Sequence, residues 1–150
     1  MKKTIIILLL LVTSLGFSQS KTKLDVKSDK KSEVKSETKT YDPKLLGCWK
    51  GSETGQQQDG VSKYWVSCRF ENGTSALLFV VIYPSGKVDQ TTENGKWWVE
   101  NGRYYELHNY DGVIDVYDYQ VTDEGVNFQS VELMGKKDNT YKFTDYKMAD

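Results

Sequence analysis

Cys48 and Cys68 are the chain's two cysteines, and they fall on neighbouring β-type runs. In an exported chain such a pair reads as a disulfide. With Gln57-Gln58-Asp59 as the middle of the connecting loop, the hairpin register sets Cys48 nearly opposite Cys68, within the ~6 Å Cα separation that a bridge requires. Closing a loop of this length adds roughly 3 kcal/mol on the chain-entropy account. The competing reading is two buried free thiols. Neither cysteine has a histidine near it in sequence, so a nucleophilic role lacks support.

His108 is the sole histidine, which excludes a multi-histidine metal site. It lies on the face of its run opposite Tyr105 and Leu107, and reads as a hydrogen-bonded surface or core residue. Asp111, Asp115, Asp118, Asp123 and Glu124 form an acidic cluster, but their spacing does not match an EF-hand loop. Asp115 and Asp118 point to opposite faces of a regular strand, so they do not share an ion. Serines and aspartates are plentiful, yet no nucleophile elbow accompanies them. The expectation is therefore a protein without catalytic residues, metal or cofactor.

Aromatic content leans towards binding: four Trp, ten Tyr and four Phe lie beyond residue 18. On one reading Trp49, Trp65, Tyr83, Trp97 and Tyr105 simply pack the interior. On the other, a subset with polar tips lines a cavity for one small hydrophobic or amphipathic molecule. The candidate ligand-binding residues are Trp65, Tyr83, Trp97, Tyr105, Tyr117 and Tyr119.

The elements that must position these side chains are short β-type runs. The pattern predicts strands over 46–53, 62–71, 75–83, 87–93, 96–100, 103–109, 113–122, 126–133 and 140–147. Turn signals separate many of them: Asn72-Gly73, Pro84-Ser85-Gly86, Asn94-Gly95, Asn101-Gly102, Asp111-Gly112 and Asp123-Glu124-Gly125. Asn-Gly and Asp-Gly favour tight hairpins, because a type I′ turn needs positive φ at both central residues. Tyr64, Val66, Cys68 and Phe70 share one face, and Ala76 to Tyr83 is apolar on both. The fold class is all-β, an antiparallel up-and-down meander of eight to nine strands. Closure into a barrel removes its edges; a two-sheet sandwich is the alternative.

Residues 1–18 read as a signal peptide: Lys2 and Lys3, then an apolar run from Ile5 to Val12, then small residues around Gly16-Phe17-Ser18. That run is too short to span a bilayer, which takes ~20 residues. Residues 19–42 are a charged, disordered linker of Lys, Ser, Thr, Asp and Glu. The domain proper, residues 43–150, carries eleven basic against sixteen acidic side chains, a net of −5 with His108 neutral. Such a balance opposes nucleic-acid binding. Periplasmic or secreted placement follows from the leader.

Leu46-Gly47-Cys48-Trp49-Lys50-Gly51 resembles the Gly-x-Trp opening of lipocalin-like proteins. The stretch from Gly95 to Tyr105 is similar to the aromatic hairpin of small bacterial lipocalin-like domains. The resemblance implies a closed barrel in which Gly47 and Trp49 shut the bottom, with a basic side chain from late in the domain over the tryptophan. Lys142 and Lys147 are placed for that part, whereas Arg69 and Arg103 sit too early; the family's C-terminal helix has no counterpart. The function implied is non-enzymatic binding of a small hydrophobic ligand inside the barrel. The alternative is an interaction or inhibitor module with a filled barrel, gripping an envelope protein through its surface.

Overall fold

The computed structural model describes residues 39–149; the expected signal peptide and the expected linker up to residue 38 lie outside them. Nine strands follow one another: β1 (Gly47–Thr54), β2 (Ser62–Arg69), β3 (Thr74–Ile82), β4 (Val88–Glu100), β5 (Arg103–His108), β6 (Ile114–Val121), β7 (Val126–Leu133), β8 (Lys136–Lys137) and β9 (Lys142–Lys147). Each strand from β1 to β7 pairs antiparallel with the next, β7 also pairs with β9, and β9 returns to β1. Eight strands thereby form a closed up-and-down barrel, and β8 is a short excursion off β7. Among the described residues no helix is long and apolar enough to cross a membrane.

Turn chemistry sets much of this order. Asn101 and Gly102 have φ values of 50° and 76°, which makes the β4–β5 connection a two-residue hairpin. Met134 and Gly135, at 52° and 72°, make the same kind of turn before β8, a hairpin the sequence conceals because Met is not a left-handed residue by habit. Asn94-Gly95 is a correction: it is no turn but lies inside the thirteen-residue β4, so two expected strands are one. Gly95 is flanked by Ser75 and His108. A Cβ there would stand 2.5 Å from the Leu107 carbonyl oxygen and 2.8 Å from Ser75 Oγ, so the glycine serves close strand packing rather than reversal.

One end of the barrel is plugged. Pro43–Leu45 forms a single 3-10 turn, capped by the Asp42 side chain accepting from Lys44 N at 2.9 Å. Leu45 is fully buried, and its carbonyl accepts from Trp49 Nε1 at 3.0 Å. Around them Trp97, Tyr104, Val126 and Phe128 build an apolar floor. Residues before the turn belong to the fold as well: Thr40 bridges Val99, and Tyr41 packs edge-on against Trp97 at 5.3 Å. Ordered structure thus takes in Lys39 to Asp42, which composition assigned to the linker.

The expected disulfide is present. Cys48 faces Cys68 directly across the β1–β2 ladder, and the two are bonded.

β2 turns its more apolar phase outward. Tyr64 and Phe70 are each 47% exposed, whereas Ser67 and Arg69 on the other phase are 4% and 3% exposed. A barrel interior tolerates this inversion only where the inward polar groups find partners or line a cavity.

Candidate functional site

Arg69 and Asp145 form the layer between the floor and the space above it. Asp145 projects inward from β9 and is completely buried. Its Oδ2 accepts from Arg69 Nη2 at 2.5 Å, and its Oδ1 accepts from Trp65 Nε1 at 2.8 Å. Arg69 Nε donates to the Tyr104 hydroxyl at 3.0 Å. The guanidinium lies 4.9 Å from the Tyr104 ring centre, 5.2 Å from Phe128 and 5.9 Å from Trp49. A buried ion pair is tolerable only with such additional bonds and polarisable neighbours. Burial holds the Tyr104 hydroxyl far above its ordinary pKa.

Trp49 therefore has two basic covers. Lys147 Nζ stands 5.5 Å from its ring, and Arg69 reaches it from β2, its guanidinium 5.9 Å from the ring centre. Arg69 lies early in the sequence, yet it too comes near Trp49, because β2 neighbours β1 in the barrel.

Trp65 lies flat across Gly51, its partner in the β1–β2 register. Any Cβ on Gly51 would overlap the indole ring, so this glycine lets the indole lie against the backbone and bring Nε1 to Asp145.

Above this layer the barrel is open, with a cavity of about 670 Å³. Trp65, Leu77, Phe79, Leu133, Tyr141 and Phe143 give it apolar walls, and Gln57, Tyr110 and Met134 from connecting loops rim it. Two deeply buried polar atoms on the cavity wall, Ser67 Oγ and Arg69 Nη1, have no hydrogen-bond partner among the described residues.

One wall is charged. Tyr104, Glu106 and His108 share the inward phase of β5. His108 Nδ1 lies 2.5 Å from Glu93 Oε1 on β4, and Nε2 lies 3.4 Å from Asp115 Oδ2 on β6. The carboxylates of Asp115, Glu106 and Glu93 outweigh burial of the ring and push the His108 pKa up to about 10, so the ring is cationic at neutral pH. Asp115 also accepts from Met134 N at 2.7 Å and from the Tyr117 hydroxyl at 3.2 Å. Glu106 makes no hydrogen bond or ion pair within the described residues, and burial raises its carboxyl above the usual range against the pull of Arg69 and His108. Among the described residues no three His, Cys, Asp or Glu side chains are arranged to hold a metal ion.

Of the aromatic candidates, the structure brings Trp65 and Tyr117 to the cavity. Trp97 is in the floor, stacked near Tyr104. Tyr105 faces outward and stacks on Trp98 at 5.2 Å under Lys39. Tyr83 stands beside Lys87 in the β3–β4 turn, 5.3 Å from its ammonium. Tyr119 lines a separate depression, donates to Asp42 Oδ2 at 2.9 Å, and has a pKa pushed up to about 12 by burial and that carboxylate. Sequence reasoning passed over Arg69, Glu93, Glu106, Phe79, Phe143 and Asp145. The available signal was phase: Tyr104, Glu106 and His108 keep step, as do Trp65, Ser67 and Arg69, each set joining an aromatic to polar groups.

No family model matches the chain, and neither a curated protein nor a solved structure is significantly similar to it.

Proposed function

We propose that this protein is an exported, non-enzymatic binding module that takes one small amphipathic molecule into its barrel. The observation carrying this reading is the 670 Å³ cavity, with aromatic walls and a few convergent polar groups. That volume falls in the range of about 300–1,000 Å³ that small-molecule sites occupy. The disulfide suits an oxidising compartment, in keeping with the leader at the start of the sequence.

The test is a titration of the mature protein with an environment-sensitive apolar dye, following dye and tryptophan emission. Saturable one-to-one binding, and recovery of a competing amphiphile unchanged by mass spectrometry, is the expected outcome. A dye that never saturates, or a competitor recovered chemically altered, removes the reading.

A second reading rests on the outer wall. Tyr64, Leu78, Ile82 and Val88, on adjacent strands, are all more than a third exposed. A contiguous apolar face of this kind suits contact with another protein, perceptible as loss of a complex when Leu78→Lys is introduced.

A further inference from the structure

The charge arrangement inside the barrel bears on what the ligand carries, and this step rests on the cavity reading above. Every basic group at the cavity already has an acidic partner. Arg69 holds Asp145 at 2.5 Å, Lys63 holds Glu53 at 3.2 Å, and His108 stands between Glu93 at 2.5 Å and Asp115 at 3.4 Å. The acids outnumber the bases. One cationic ring serves two carboxylates at His108, and Glu106, next to it on the inward face of β5, has no partner among the described residues.

We infer that the cavity selects an organic cation: an ammonium on an apolar body, with the charge beside Glu106 and the body against Trp65, Phe79 and Phe143. An ammonium entering here meets a carboxyl that feels Arg69 and His108 at a distance but is bonded to neither, in a partly dry site where a charge-assisted hydrogen bond is strong. A ligand carboxylate instead meets Glu106, Glu93 and Asp115 along the charged wall; the one open guanidinium donor, Arg69 Nη1, sits at the far end of the cavity on a group whose charge Asp145 already balances through Nη2. The remaining unmatched atoms fit a ligand with an oxygen at its far end. Ser67 Oγ and Arg69 Nη1, both on the cavity wall and without partners among the described residues, offer donors to a hydroxyl, ether or carbonyl. These buried groups are satisfied by a ligand that the protein alone does not supply.

Decylamine, decanol and decanoate share a chain and differ in head-group charge, so they are the probes, each displacing the bound dye below its micelle concentration. Decylamine is expected to bind about tenfold or more tighter than decanol, with decanoate weakest. In Glu106→Gln the amine-to-alcohol ratio falls towards one, while Asp118→Asn, an exposed carboxylate on the outer face, keeps it. The Gln variant removes a charge that the fold leaves unpaired, so the barrel is retained. On the unmodified protein, the amine preference fades as acid protonates Glu106. Equal binding of amine and alcohol, tightest binding of decanoate, or a ratio unmoved by Glu106→Gln overturns the cation inference while the cavity reading stands. Failure of all three probes and the dye overturns both.

Discussion

Trp65 Nε1 donates to Asp145 Oδ1 at 2.8 Å across eighty residues of sequence, and the same carboxylate holds Arg69 at 2.5 Å. Both oxygens of one buried acid are thus committed, one to the cavity wall and one to the floor. Asp145→Asn leaves the guanidinium buried without its counter-charge, and a loss of about 3–5 kcal/mol in unfolding free energy is expected from urea titration. Wild-type stability in this variant would mean that the pair contributes nothing net. The carboxamide keeps one acceptor oxygen, so it can serve Trp65 Nε1 or Arg69 Nη2 but not both, and it turns a donor towards the other.

Gly51→Ala drives a methyl group into the Trp65 ring. Overpacking of this sort costs about 1–3 kcal/mol and turns the indole away from Asp145. Ser52→Ala, next door on the exposed face, is expected to be silent. The pair separates a steric effect from a general weakening of β1, and a crystal structure of the Gly51 variant locates the displaced ring.

His108 carries a folded-state pKa of about 10, above its unfolded value of roughly 6.5. The folded protein therefore holds a proton that the unfolded chain releases, and stability declines as pH rises. The contribution is fully present below about pH 6.5 and lost by the time pH passes about 10; solvent screening of the partly exposed ring brings it down to about 3 kcal/mol across that range. His108→Gln should flatten the fall, and unfolding midpoints of the two proteins at several pH values between 6 and 10.5 provide the check. Parallel curves would show that Glu93 and Asp115 do not hold the ring in its charged form.

Reduction of the Cys48–Cys68 bond frees a loop closed over a sequence separation of 20 residues. Stability should drop by roughly 3 kcal/mol, as measured by denaturant unfolding with and without reductant. Cys48→Ser with Cys68→Ser should match the reduced protein. Because both cysteines lie on the outward phase of their strands, the cavity's affinity for the dye should hold in the folded fraction.

The barrel was legible because its turns are local. Asn101-Gly102 declares a hairpin by residue type alone, and the alternation along 62–71 shows two faces without any knowledge of the rest. The choice between those faces is not local. Tyr64, Val66 and Phe70 form the more apolar phase of β2, yet they face solvent, since Arg69 finds its partner on a strand 76 residues later. Tyr105 misled in the same way: β5 carries a tyrosine in each phase, and stacking against Trp98 takes Tyr105 outside. Cys48 and Trp49 were readable because the β1–β2 pairing depends on one loop. Glu106 was not, because an unpaired acid in a strand looks like any solvated one until the surrounding strands close over it.

The ring is fastened unevenly. β1 meets β2 over eight registered positions but β9 over two, with one more bond from Met148 N to the Cys48 carbonyl. Backbone amides along that seam should be the first in the barrel to exchange with deuterium. What keeps the seam shut is largely side-chain grip from the interior, where Asp145 on β9 is clasped by Trp65 and Arg69 from across β1. If the cavity takes a ligand as proposed, Phe143 on the same strand lines the space it would fill, and occupancy is expected to slow the exchange of β9.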